Sequence, residues 1–396
     1  MSTGSYERAA LTTPRAETTT PRAETPPAPA RASKPIARSG KEASAPAVPP
    51  RVGRTVLRSP GGRIAVLVDI RACLVCVALA LVLVVVGVVS LTTGDYHIPV
   101  LDVVRTLFGR GDAADTFIVQ TLRLPRLLTA LLAGAALGVG GAMFQSVSRN
   151  PLGSPDVIGF TTGAATGALI EILVLNGGAG QIATGAVLGG VVTALAVYLL
   201  AMKRGVSGYR LILVGIGIAA MLESANAYLL TRANITDAQA AAVWLTGSLN
   251  GRGWEQVRPT ALALAVLLPL AIWLGRDLRM LELGDDVGQA LGVSAERTRL
   301  AAVLVGVGVT AVATAATGPI AFVALAAPQL AKRLTNASGP NIVASAFMGA
   351  ALLAASDLAA QRLFAPRQLP VGVMTGLVGG LYLAWLLRRE WRRGRA

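Results

Sequence analysis

The residues able to do chemistry are few, widely spaced and of the wrong types for covalent catalysis. Arg123 and Arg126 bracket the run RLPR, and a guanidinium fork is well shaped to grip a carboxylate through two parallel hydrogen bonds. A pair of aspartates, Asp285 and Asp286, opens the run DDVGQALG, where acidic groups suit the first turn of a helix. Glu223 stands in the middle of an apolar stretch with Asn226 nearby, and a charge there costs roughly 2.5–3.5 kcal/mol on the insertion scale. Such a carboxylate serves a pathway, a subunit interface or a satisfied structural hydrogen bond, turned into the bundle or protonated. Cys73 and Cys76 have C-x-x-C spacing but begin an apolar helix without a βαβ context, so they read as small apolar fillers. His97 is the only histidine, which leaves no cluster for zinc or a histidine relay. The sequence also lacks the G-x-x-x-x-G-K-[ST] phosphate loop. The expectation is therefore no catalytic residue, no metal site, no cofactor and no ATP hydrolysis by this chain.

The elements that must position these residues are apolar helices. Of the 396 residues, 53% are hydrophobic and 14% charged, where a soluble domain carries nearer a quarter charged. About ten stretches are each taken as long enough to cross a bilayer, which needs about 20 residues. They cover residues 72–91, 127–146, 157–175, 181–201, 211–230, 257–274, 300–316, 319–334, 341–358 and 371–387. The fold class expected is all-α, a polytopic transmembrane bundle of about ten helices. The 44 glycines suit close helix packing in lipid. The net charge of +15 is concentrated in the N-terminal region and at alternate helix ends, which argues against nucleic acid and, by the positive-inside rule, places both termini in the cytoplasm. Residues 1–70 are rich in Pro, Ala, Thr and Arg, with TTPRAET repeated in tandem from Thr12 to Thr25. They read as a disordered cytoplasmic tail, ahead of a transmembrane domain over residues 71–396.

Interruptions of the helices carry the rest. Asn150, Pro151, Pro155 and Asp156 lie between the second and third spans, where proline cannot continue a helix. Irregular backbone at membrane depth survives where protein buries it or water reaches it, so this segment is either an ordinary turn or a lining element of a route. Pro319 and Pro328 mark another interrupted helix, and Asp357 is placed close enough to the outer surface to be wet. In LGDDVGQALGVSAERTR, the aspartates start a short helix with an apolar stripe of Val287, Ala290 and Leu291. Gly292 ends it left-handed and Ser294 caps the next. Such a helix lies half sunk in the interface or serves as a docking knob.

Four ordered runs carry a resemblance: RLPRLLTALLAGAALGVGGAMFQSVSRNPLGSPDVIGF, LGDDVGQALGVSAERTR, GPIAFVALAAPQLAKR and QLPVGVMTGLVGGLYLAWLL. Together they resemble the permease family of iron-siderophore and cobalamin ABC importers, from the first span to the C-terminus. The resemblance implies ten helices per subunit, a second permease subunit in a heterodimer, a cytoplasmic ABC ATPase dimer and an extracytoplasmic siderophore-binding protein, all at a bacterial plasma membrane. Gln329, Gln368 and WLTGSLNGRGW look most like the subunit that joins another permease in ferric-enterobactin uptake, which implies a catecholate ferric siderophore. Haem, cobalamin and hydroxamate siderophores share the architecture. By the same resemblance, Arg123 and Arg126 receive acidic residues of the binding protein. The third basic residue of that socket falls at Gln361, with Arg362 one position later. Gly284, Asp285, Asp286, Gly288, Leu291 and Gly292 match the segment that inserts into the ATPase, and Ser207 and Gly208 resemble the inner gate. Asn150, Pro151 and Glu223 complete the expected pathway set. A secondary transporter would also have interrupted helices and intramembrane carboxylates, but it needs neither the docking helix nor the arginine pair.

Overall fold

The computed structural model describes residues 54–58, 65–202, 208–365 and 368–393. Two strands, β1 (Arg54–Arg58) and β2 (Ala65–Asp69), pair antiparallel with Arg54 opposite Asp69. They lie ahead of residue 71; the rest of the expected tail lies outside the described residues. The Asp69 carboxylate accepts from the N–H groups of Arg71 and Ala72, an N-cap that starts α1 (Ile70–Thr92).

Beyond β2 the described chain is built from helices. The loop after α1 holds α2 (Val100–Leu107) and α3 (Ala113–Thr116), which runs through a π-helical segment (Phe117–Arg123) into α4 (Leu124–Ser148). Next come α5 (Phe160–Leu173), α6 (Ala179–Ala201), α7 (Gly208–Arg232) and α8 (Ile235–Leu245). The chain continues through α9 (Trp254–Leu281), α10 (Asp285–Ala290), α11 (Ala295–Thr317), α12 (Val323–Thr335), α13 (Ile342–Arg362) and α14 (Val371–Arg393). Neither α2 nor α8 is predicted by hydropathy, because both sit in polar loops; α8 starts where the Asn234 side chain accepts from the Asp237 N–H.

Among the described residues, seven helical segments are long and apolar enough to cross a membrane: α1, Ala113–Ser148, α6, α7, α9, α11 and α13. The third and eighth expected spans are shorter than apolarity suggests. Helix α5 has 14 residues, about 21 Å at ~1.5 Å per residue against a hydrocarbon thickness of ~30 Å. Its start is delayed by the turn through Pro155 and Gly159, whose φ is +88°. In the eighth span the break falls at Gly318 and Phe322, with φ of +77° and +69°. Pro328 sits inside a continuous α12.

Helix α4 is the axis of the bundle. It packs against α9, α11, α12 and α13, and Leu137, Met143 and Phe144 on it are almost wholly buried. Small residues make this possible: the backbone of Ala324 lies so close to Gly141 that a methyl would not fit, the backbone approach that lipid-phase packing favours. By contrast α1 leaves Leu74, Leu81 and Val84 more than 60% exposed, as expected of a face toward lipid.

Candidate functional site

Glu223 apart, the described candidate residues fall at the two ends of α4, about 37 Å apart for 25 residues at ~1.5 Å each. At its start, Arg123 donates from Nη1 to the Leu91 carbonyl at 2.6 Å and from Nη2 to the Tyr96 carbonyl. It thereby holds the end of α1 and the following loop. Arg126 is forked onto Asp357 of α13, through Nε at 3.0 Å and Nη2 at 2.8 Å, and its Nη1 donates to Gln368 Oε1 at 3.1 Å. Gln361 Nε2 donates to the same carboxylate at 2.7 Å. Asp357 is 3% exposed, so the wet carboxylate expected from its position near the surface is instead the buried partner of Arg126. Arg362 leaves its Nε buried with no hydrogen-bond partner, and its charge acts repulsively on Arg123. The three arginines thus share one end of the bundle, with Arg126 neutralised from within and Arg123 set between the repulsion of Arg362 and the attraction of Asp95 and Asp115.

At the other end, α4 stops at Arg149, whose φ is +50°. Arg149 Nη2 donates to the Leu281 carbonyl and to Asp285 Oδ1, while Arg299 Nη2 reaches both Asp285 oxygens at 2.8 and 3.0 Å. Burial alone would raise the Asp285 carboxyl, but Arg299 and Arg149 hold it below the usual carboxylate range. Ser146 Oγ donates to Glu282 Oε1 at 3.1 Å. Helix α10 is therefore clamped to α4 and α11 by its first residue. Gly284 and Gly292, at φ +121° and +87°, make the two turns that set it across the bundle end, with Gly288 buried against Leu281. Asp286 and the apolar stripe point outward: Val287 is 45% and Leu291 58% exposed. The stripe is not folded back on this chain.

Beside this clamp lies the interrupted segment. Asn150 Oδ1 accepts from the Leu152 N–H at 2.9 Å, and the Pro151 carbonyl accepts from Gln329 Nε2 at 2.7 Å. Gln329 also meets the Tyr382 hydroxyl of α14 at 3.5 Å. Gly208, the first residue of α7, lies against the backbone of Ser148, where a Cβ would clash. Asn150, Pro151 and Gly208 are thus gathered at the end of α4; Ser207 lies outside the described residues. Glu223 is not with them. It stands 15 positions further along α7 and is exposed on its outer face, so it does not turn into this chain's own bundle. Asn226 does, and its Oδ1 is buried without a partner.

Asp156 is a functional candidate that sequence reasoning noted only as part of a turn. Both its carboxylate oxygens are buried without a well-formed hydrogen bond. Desolvation pushes it up to about 6, an effect only partly offset by the Thr161 hydroxyl and the Phe322 N–H. It thus sits where the starts of α5 and α12 meet.

A sequence model of the FecCD transport family matches residues 82–389. The chain is 46% identical over 323 residues to the ferric enterobactin transport system permease protein FepG of Escherichia coli (strain K12), covering 82% of this chain and 98% of that protein. It is 38% identical to the achromobactin transport system permease protein CbrC of Dickeya dadantii (strain 3937), over 79% of this chain and 91% of that one. Among solved structures it is similar to an inward-facing metal-chelate type ABC transporter, with a TM-score of 0.70 and 27% identity over 80% of this chain and 99% of that one.

Proposed function

The chain belongs to the FecCD transport family, and from that premise we propose that it is the membrane-spanning permease subunit of an ATP-driven importer of ferric siderophores, with an enterobactin-like catecholate as substrate. The observation that carries this reading is the 46% identity to a ferric enterobactin permease along almost its whole length. The geometry agrees with it. A short helix with an exposed apolar stripe is clamped by ion pairs to the end of the central helix, which suits a lever pushed by an ATPase. In this reading Gly284 to Gly292 couple to that ATPase, and Arg123 and Arg362, with Arg126 beside them, receive a substrate-binding protein. Asn150, Pro151, Ser207, Gly208 and Glu223 border the route, which a second, non-identical permease subunit completes. Helices α5, α12 and α14 add three crossings to the seven already counted, giving ten with both termini in the cytoplasm.

The test is reconstitution of the chain with the second permease, the ATPase and the binding protein in proteoliposomes, with radioactive iron supplied as a ferric catecholate, a ferric hydroxamate or haem, and labelled cobalamin alongside. Uptake of the catecholate alone, dependent on ATP, is the expected result. Preference for another chelate would refute the substrate, and uptake driven by an ion gradient without the ATPase would refute the mechanism.

A further inference from the structure

A groove unrelated to the arginine and aspartate ends lies on the flank of the bundle. Helices α6 and α9 each pack against α11, and between them runs a cavity of about 640 Å³. Its walls are mainly aliphatic, with Ile182 and Leu188 from α6, Ala263 from α9 and Val312 from α11, joined by Trp244 of α8 and the hydroxyls of Thr184 and Thr260. Polar groups gather at one end: Arg252 just ahead of α9, then Glu255 and Gln256 in its first turn. Along α9 the lining extends from Glu255 to Ala263 and along α6 from Ala179 to Leu188, or about 12 to 14 Å at ~1.5 Å per residue. One leaflet of a ~30 Å hydrocarbon core has about that depth. The groove is thus as long as one acyl chain's path from head-group level to midplane.

Its polar end is built for both signs of charge. Arg252 donates from Nε to the Ser248 carbonyl at 3.1 Å, and among the described residues no carboxylate pairs with it. The site desolvates this guanidinium enough to lower its pKa, a cost that a bound anion removes. Glu255 is likewise without an ion-pair partner among the described residues. Pro259 has no N–H, so the carbonyl of Glu255 cannot receive the usual i+4 hydrogen bond. Anion donors and cation acceptors thus stand side by side above an aliphatic slot.

We propose that this groove is a binding site for one phosphatidylethanolamine molecule, with its phosphate on Arg252, its ammonium on the Glu255 carboxylate, and an acyl chain between α6 and α9. A phospholipid with an anionic head group satisfies the arginine but leaves Glu255 opposed, so the site discriminates between them. The proposal does not depend on the transported substrate.

The experiment uses the full-length chain, with the subunits that copurify, in nanodiscs of equal parts phosphatidylethanolamine and phosphatidylglycerol, followed by extraction in mild detergent and native mass spectrometry. Wild type is expected to retain one phosphatidylethanolamine in preference to phosphatidylglycerol by about tenfold, the scale of one charge-assisted contact. Arg252→Ala should lose the retained lipid, Arg252→Lys should keep part of it, and Glu255→Gln should keep binding but lose the head-group preference. Equal retention by wild type and Arg252→Ala, or equal retention of the two lipids by wild type, overturns the proposal. A photo-crosslinking side chain at position 188 supplies a readout independent of folding: labelling of lipid supports the site, and labelling of a second permease subunit shows that protein fills the groove and overturns it.

Discussion

Asp156 and Asp357 show how differently two buried carboxylates can be held. Asp357 has a fork of Arg126 and the amide of Gln361, whereas Asp156 has only partial help from Thr161 and Phe322 and sits near pKa 6. A carboxyl raised in the folded state binds a proton that the unfolded chain has released, so between about pH 4 and 6 stability falls as pH rises, and above 6 the cost of the buried charge stays constant. At one pKa unit per ~1.4 kcal/mol, that cost is roughly 3 kcal/mol. Asp156→Asn should therefore raise the midpoint of thermal unfolding at pH 7.5 and change it little at pH 4.5; equal effects at both pH values would mean that the charge is not the cause. At Asp357 the expectation is opposite in sign. Arg126→Ala strands a carboxylate 4% exposed in its side chain and should destabilise by about 3–5 kcal/mol, while Arg126→Met with Asp357→Leu should restore most of the loss. A double-mutant cycle on detergent-solubilised protein measures this coupling. Of these residues, the sequence made the arginines legible, because guanidinium forks are recognisable by type. It did not reveal their partners, since the Arg126–Asp357 contact spans 231 positions and no local pattern encodes a contact at that range.

At the scale of elements, legibility tracked how local the determinant is. Helix α10 could be read from sequence because its start, stripe and left-handed stop lie within nine residues, and the structure places Gly292 at φ +87°. The shortness of α5 and α12 could not, because hydropathy registers apolar side chains and not the positive φ of Gly159 or Phe322 that delays each helix. The π-helical segment ahead of α4 was hidden because hydropathy does not register how the turns of a helix are hydrogen-bonded. The turn at Gly292 also yields a prediction: proline fixes φ near −65° and cannot adopt the conformation observed. Gly292→Pro should leave the chain in the membrane, since the long spans are untouched, but tilt α10 off its Asp285 clamp and abolish ATP-dependent import by more than about tenfold. Leu291→Asp keeps the turn and charges the exposed stripe, so it should weaken ATPase binding with little change in thermal stability. Copurification of the ATPase with each variant separates loss of docking from loss of folding; undiminished import by Gly292→Pro would remove α10 from the coupling role.

For the whole molecule, the distribution of exposure is uneven in a way that lipid alone does not explain. From residue 74 to 89, helix α1 exposes only aliphatic side chains, including Leu74, Leu81 and Val84. Helix α7 exposes Gly217, Ala220, Glu223 and Ser224, with Met221 and Tyr228 among them. A carboxylate on such a face is expensive against hydrocarbon and inexpensive against water or a polar partner. In the proposed importer the two exposed faces meet different surroundings, α1 the lipid and α7 a second subunit or an aqueous route. Cysteine placed at Ser224 and, separately, at Leu81 distinguishes these surroundings in the assembled importer, with native Cys73 and Cys76 replaced by alanine. Ser224→Cys should react with a charged, membrane-impermeant thiol reagent, and its reactivity should change when ATP and binding protein are added. Leu81→Cys should remain inert to the charged reagent and react only with an apolar one. If the two positions behave alike, α7 faces lipid, and Glu223 must then be protonated in place and outside any route.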